Sequence, residues 1–239
     1  MFSKDFHSKG YYLAEQFLSE PECKNLLSLI ENYRKHHSVP EIYRDAGERP
    51  LRYRVIDGER IKQHLPEVLE IYQNVNDLVN QITAQKLVPL SSEKVACNIN
   101  IMNSGGTYRW HYDRNAVTAI LYLNDAKGGE TECYPNYRIF LRNVRFSRLQ
   151  QWLDRLLQTS LARSFFGKQL ICKAQTGRML IMRGDRCLHS VRPMTGNGER
   201  INIIMSFDTP GADFAVADQL NSYLYSQTSA QSTDPNYKG

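Results

Sequence analysis

The chain has 239 residues and a formal net charge of +5, with 41% hydrophobic and 23% charged residues. That length fits one domain and that apolar share supports one core, which excludes a collagen-like, low-complexity or wholly disordered chain. No apolar run approaches a membrane span, and the small basic excess permits an anionic cosubstrate or a nucleic acid without demanding either. The five cysteines, Cys23, Cys97, Cys133, Cys172 and Cys187, are an odd number with no Cys-x-x-Cys. They read as reduced thiols, and Met1 to Asp5 open no apolar leader, so a cytoplasmic location is expected.

Along the chain, the apolar stretch from Gly10 to Leu18 predicts a first strand. Ser19-Glu20-Pro21-Glu22 then starts a helix, with Ser19 as cap, proline in the first turn and acids at the positive end. Cys23, Leu26, Leu27, Leu29 and Ile30 form its apolar stripe to about Lys35. Residues 36 to 63 are polar and basic, with a strand and turn over "RPLRYRVIDGERI". Arg49, Arg52 and Arg54 there either line a substrate mouth or belong to a solvated loop. A second helix runs from Glu67 to Thr83, with Val68, Leu69, Tyr72, Val75, Leu78 and Val79 at helical spacing.

From Glu93 the period changes to two. Asn98, Asn100 and Met102 share one face of a strand, and Ile99 and Ile101 the other. Thr118, Ile120 and Tyr122 share a face of a later strand. Residues 143 to 168 break the pattern and predict one amphipathic helix, with Phe146, Leu149, Trp152, Leu153, Leu156 and Leu157 on its apolar side. That helix either packs on the sheet edge or serves as a lid or partner-binding element. Strands then return, with Arg183-Gly184-Asp185 as a hairpin turn, and Glu199 to Asp208 form the last core strand.

Short strands at close spacing with glycine turns predict a mainly β fold with flanking helices. The core is a double-stranded β-helix, a cupin-like jelly roll, over 93–210. A single domain spans 1–225, with N-terminal helical support over 1–92, a helical insert at 143–168 and a disordered tail at 226–239.

The chemistry centres on Trp110-His111-Tyr112-Asp113. In a strand, residues two apart point to one face, so His111 and Asp113 converge. His189, from a neighbouring strand, completes a two-histidine, one-carboxylate metal face, the ligand set of non-haem Fe(II) oxygenases. A basic side chain, Arg200, follows His189 by eleven residues.

The runs "GGTYRWHYDRNAVTAILYLNDAKGGETE" and "GRMLIMRGDRCLHSVRPMTGNGERINIIMSFD" resemble the Fe(II)/2-oxoglutarate-dependent dioxygenases, in particular the prolyl-4-hydroxylase-like branch. The resemblance covers roughly residues 93 to 210. It implies an enzyme that uses Fe(II), 2-oxoglutarate and O2, with ascorbate as a candidate reductant. Such an enzyme hydroxylates an unactivated C–H of an amino acid, free or in a peptide, and releases succinate and CO2. Halogenating relatives carry a small residue in place of the carboxylate, so Asp113 implies hydroxylation. Desaturation and ring formation stay open.

The resemblance also assigns residues. Arg200 stands at the family's distance from His189 to hold the distal carboxylate of 2-oxoglutarate, a task suited to a planar guanidinium. Arg192 is its competitor. Tyr122 matches a tyrosine that donates to the same carboxylate, and Tyr108 matches another tyrosine near the site. Asn100 and Thr118 face inward towards cosubstrate or substrate, and Asn202 and Ser206 share the strand face of Arg200. Ile101 departs from the prolyl-hydroxylase pattern, where some relatives have a tyrosine.

Partners are expected to be a small-molecule or peptide substrate, without nucleic acid or membrane, and the oligomeric state is open. Two other readings remain. One is an AlkB-like nucleic-acid demethylase, suggested by Arg200-x-Asn202 but lacking that group's closing arginine. The other is a non-catalytic metal-binding jelly-roll sensor.

Overall fold

In a computed structural model, residues 2–45, 49–141, 148–212 and 224–225 are described. The chain opens with helix α1 (Phe2–Lys9), strand β1 (Tyr11–Ala14), helix α2 (Glu20–His36), and strands β2 (Glu41–Arg44) and β3 (Leu51–Ile56). Helices α3 (Gly58–His64) and α4 (Pro66–Thr83), strand β4 (Val88–Pro89) and the short helix α5 (Glu93–Ala96) follow. Next come β5 (Cys97–Met102), β6 (Tyr108–His111), β7 (Val117–Tyr122) and β8 (Thr131–Tyr134). Helices α6 (Arg148–Leu157) and α7 (Ser160–Phe166) interrupt them before β9 (Leu170–Cys172), β10 (Met179–Met182), β11 (Leu188–Val191) and β12 (Arg200–Asp208).

The strands form two antiparallel sheets. The larger has the order β1-β10-β7-β12-β5-β3-β2, with β4 also on β12, and the smaller is β6-β11-β8-β9. This is the expected jelly roll. The two-residue period divides the faces of the larger sheet. Ile99, Ile101, Ala119, Leu121, Ile203 and Met205 pack in one core cluster with Leu26 and Ile30 of α2 and Val68, Val75 and Val79 of α4. Burying each aliphatic side chain contributes about 1.5–3 kcal/mol, so this layer fixes the register of the central strands. The alternate residues Asn98, Asn100, Thr118, Asn202 and Ser206 line a cavity on the other face.

Helix α2 begins as its sequence predicts. Ser19 and Glu22 form a reciprocal capping box, with proline in the first turn. The N-terminal 92 residues do more than support. Besides helices they supply β1, which pairs with β10, and β3, which pairs with β5, so they widen the larger sheet. The eight-residue helix α1, with Phe6 buried, precedes the predicted first strand.

The insert differs from its prediction in two ways. It contains two helices, because Thr159 caps a new start by accepting from the Ala162 N–H. The orientation of α6 is also turned. Gln150 and Asp154 are buried, while Leu149, Trp152 and Leu156 are exposed. The cause is Arg138, whose guanidinium reaches Asp154 through Nε and Nη2 at 3.0 and 2.6 Å. A guanidinium–carboxylate pair of this kind is favourable only when both partners are held together, and it draws the polar side of α6 inward. Leu157 follows that side into a cluster with Trp110, Tyr134 and Tyr137 on the smaller sheet. Phe146 and Arg145 lie outside the described residues, as does the tail 226–239.

Candidate active site

Strands β6 and β11 are antiparallel neighbours in which His111 and His189 stand directly opposite each other. Their ring centroids are 4.0 Å apart. Each Nδ1 meets a backbone carbonyl, that of Arg109 at 2.9 Å and that of Cys187 at 3.0 Å. Those bonds place the ring proton on Nδ1 and leave both Nε2 lone pairs pointing inward. Burial, together with the neighbouring His189, lowers the His111 pKa despite the opposing pull of Asp113, which keeps the ring neutral and able to ligate.

Asp113 lies just past the end of β6, where its N–H donates to the Gly184 carbonyl at 3.0 Å. Its Oδ1 stands 3.4 Å from His111 Nε2 and 3.5 Å from His189 Nε2. Thr118 donates its hydroxyl to Oδ2 at 2.5 Å. Burial pushes the carboxyl up, but His189, His111 and Thr118 outweigh it and hold the pKa at about 2. A permanent carboxylate and two inward imidazole nitrogens, all within 4.8 Å of one another, form a ligand set for a divalent cation. All three predicted metal ligands are brought together.

Gly184 belongs to this site. A Cβ there would lie 2.8 Å from the Asn115 carbonyl, 2.8 Å from Thr118 Oγ1 and 2.9 Å from Asp113 Cβ. The turn that the sequence predicts therefore also backs the metal-site carboxylate. Asn115 donates to the Val117 carbonyl and to Thr118 Oγ1, steadying the same corner.

Arg200 is 1% exposed. It donates to Asn202 Oδ1 at 2.5 Å and to Thr131 Oγ1 at 3.1 Å, and its guanidinium sits 5.1 Å above the Tyr122 ring. Burial lowers its pKa. Among the described residues no carboxylate lies within ion-pair distance of it, and its Nε and the Asn202 Nδ2 have no partner. A buried cation without a counter-charge is costly, and an incoming carboxylate would relieve that cost. Arg192, the competitor, is half-exposed and paired with Glu132 at 2.7 Å, outside the cavity.

The other predicted residues divide. Tyr108, Asn100, Thr118, Asn202 and Ser206 line the cavity. Tyr122 does not. Its hydroxyl is engaged with Thr131 Oγ1 at 2.7 Å, so it braces Arg200 from below. Arg49, Arg52 and Arg54 do not line it either: Arg49 bonds Glu132 and Ser190 behind the metal strands, and Arg52 pairs with Glu41. Sequence reasoning missed Thr131, Asn98 and the pair Leu224 and Tyr225, all of which line the cavity. Asn98 shares the face of Asn100 and was within reach of the two-residue period. Nothing local in the sequence marks the other three.

Counted together with the solvent at its mouth, the cavity takes up about 880 Å³. Its polar floor is the metal face and Arg200, and Ile120, Val191 and Ile204 give it apolar walls.

Solved structures share this architecture. The epimerase SnoN, in complex with Fe3+, α-ketoglutarate and nogalamycin RO, is 12% identical with a TM-score of 0.68, covering 100% of this chain and 93% of its own. HygX from Streptomyces hygroscopicus, with nickel, 2-oxoglutarate and hygromycin B bound, is 14% identical with a TM-score of 0.60, covering 87% and 86%. A prolyl hydroxylase from Trichoplax adhaerens, bound to a hypoxia inducible factor peptide, is 16% identical with a TM-score of 0.62, covering 87% of each chain. The chain therefore has the fold of these structures, and within it His111, Asp113 and His189 form the two-histidine, one-carboxylate set that suits a non-haem Fe(II) ion.

No curated protein matches the sequence. Residues 1–218 match the profile of the Halogenase D family, and the chain belongs to that family.

Proposed function

We propose that this protein is an Fe(II)- and 2-oxoglutarate-dependent hydroxylase acting on an unactivated C–H of an amino acid, free or in a peptide. The carrying observation is Asp113. Its Oδ1 faces both imidazoles at 3.4 and 3.5 Å, so a carboxylate holds the position where a halogenating relative needs a small residue. Kinship with the prolyl-4-hydroxylase-like branch is the finer part of this reading. The two long sequence runs around His111 and His189 support it, and Ile101 is a departure from it.

Bound at the face of His111, Asp113 and His189, ferrous iron with 2-oxoglutarate supplies oxidation of a C–H bond by O2, with succinate and CO2 released. The protein's own work is positional. His111 and His189 present neutral Nε2 donors because their Nδ1 protons are committed to backbone carbonyls. Thr118 takes one Asp113 oxygen and leaves the other for the metal. Arg200 receives a cosubstrate carboxylate through a planar fork whose level is set by Tyr122 and Thr131. Ile120, Val191 and Ile204 give the cavity an apolar wall against which a substrate's hydrocarbon part would pack.

Halogenation is the second reading, favoured by the name of the family that the sequence matches. One experiment separates the two. Anaerobic protein with Fe(II), 2-oxoglutarate, chloride and a panel of free amino acids and peptides is exposed to O2, and products are weighed by mass spectrometry. The hydroxylase reading expects a gain of one oxygen atom, and a chlorinated product would refute it. No succinate with any substrate would favour the metal-binding sensor.

A further inference from the structure

We propose that the outward faces of α6 and α7 form an isologous interface on which a second copy of this chain docks.

The two helices of the insert turn their apolar stripes to solvent. Leu149, Trp152 and Leu156 follow one another at helical spacing along α6. Leu161 and Phe165 do the same along α7, with Phe166 beside them. Such a stripe ordinarily faces a core. Here the six side chains are 47–78% exposed. The inward side of α6 is taken by Asp154, held on Arg138, and by Gln150, which donates to the Ile139 carbonyl and to Asp154.

Both helices are anchored from behind. Leu157 packs with Trp110, Tyr134 and Tyr137, and its carbonyl accepts from the Tyr137 hydroxyl at 3.1 Å. The Arg163 guanidinium of α7 lies 4.2 Å over the Trp110 ring, and the two helices touch each other. Turning the stripes inward would break these contacts. Nor is the insert a lid. Trp110 and His111 are successive residues of β6 and point to opposite faces, so helices seated on Trp110 stand behind the sheet from the metal face. No described residue of the insert lines the cavity.

The size and chemistry of the face select its occupant. Trp152, Phe165 and Phe166 together expose on the order of 400 Å². The three leucines bring the face towards the roughly 800 Å² per partner of a standard interface, more than a monomer ordinarily leaves in water. Between Leu149 and Lys168 the exposed charges are Arg155 and Lys168, while the acid of that stretch, Asp154, is buried. Two cations are fewer than the clusters of about four or more that hold an anionic membrane surface. An aromatic, charge-poor centre is instead the composition of homodimer interfaces. Selection of a different protein is commonly written in opposed charges. An apolar face without that pattern is complementary to its own copy, across a two-fold axis that lays each pair of helices on the other.

The test is sedimentation velocity on the full chain, as purified, from low to high micromolar concentration. The expected result is a reversible monomer–dimer equilibrium, with dimer dominant at the upper end. Trp152→Glu and, separately, Phe165→Ser combined with Phe166→Ser should each raise the dissociation constant by about thirtyfold or more, as at a central aromatic anchor. Circular dichroism should show both variants folded, since the replaced side chains face solvent in the monomer. A wild-type chain that stays monomeric throughout, a dimer undiminished in either folded variant, or an open series of larger assemblies would each overturn the proposal. A monomer that co-sediments with phosphatidylglycerol vesicles would overturn it in favour of a lipid surface.

Discussion

Thr118 donates its hydroxyl to Asp113 Oδ2 at 2.5 Å, and the same carboxylate turns Oδ1 towards His111 and His189. One threonine on β7 therefore sets the orientation of a ligand contributed from beyond the end of β6. Asn115 donates to Thr118 in turn, so the ligand rests on a short relay of side chains. Outer groups of this kind commonly tune metal sites by one to two orders of magnitude in affinity.

Thr118→Val keeps the shape and removes the donor. Metal affinity should fall by roughly ten- to a hundredfold, with the melting temperature of the metal-free protein nearly unchanged. Competition against a chelating dye reads the affinity, and an unaltered value would remove Thr118 from the site.

His111→Ala and Asp113→Ala should each abolish iron-dependent succinate release. Both side chains stand at the cavity, outside the apolar layer beneath the helices, so circular dichroism should report a retained fold. Wild-type turnover in either variant would contradict the ligand assignment.

Arg200→Ala should raise the 2-oxoglutarate requirement by about ten- to a hundredfold, the loss of a charge-assisted pair worth roughly 1.5–3 kcal/mol. Thr131→Val, which removes only one brace, should have a smaller effect in the same direction. Titration of 2-oxoglutarate against succinate release checks both, and an unchanged requirement in Arg200→Ala would transfer the role elsewhere.

Glu132 carries a pH dependence. It is 3% exposed and is held by Arg49 at 2.5 Å, Arg192 at 2.7 Å and Gln169 at 2.9 Å. Burial pushes its pKa up, but the bonds from Arg192 and Arg49 win and lower it below the ordinary 4.5. A depressed folded-state pKa means that the stabilisation is full above the unfolded value and is lost as pH falls through the folded value. Glu132→Gln should therefore cost roughly 2 kcal/mol at pH 7 and progressively less below pH 4.5. Chemical unfolding at a series of pH values measures it, and a pH-independent difference would show that the charge contributes nothing.

Much of this molecule can be read along the chain, because alternation in a strand is a local property. The pattern over 98–102 and 200–206 separates cavity from core without knowledge of which strands pair, and the observed register agrees with it. The spacing of two also anticipates that His111 and Asp113 meet, but Asp113 lies beyond the end of β6 and is held there by its N–H to the Gly184 carbonyl and by Thr118. The capping box at Ser19 and Glu22 is local as well.

Other features exist only through long-range packing. His111 and His189 are 189 − 111 = 78 residues apart, and they oppose each other because β6 and β11 pair. Burial separates Arg200 from Arg192: Glu132 satisfies Arg192 near the surface, while Arg200 is enclosed with neutral partners. The sense of α6 also differs from its sequence pattern, with Gln150 and Asp154 buried and Leu149, Trp152 and Leu156 exposed. Its apolar stripe is visible in the sequence, but Arg138 needs the carboxylate of Asp154, and an ion pair across different elements outweighs a single helix's pattern. Leu224 and Tyr225 stand in a polar, nearly featureless terminus and become cavity wall only because Tyr53 and Asn98 receive them. The strand periods alone determined which side chains face inward; tertiary pairing decided which of those meet and which buried charge has no counter-charge among the described residues.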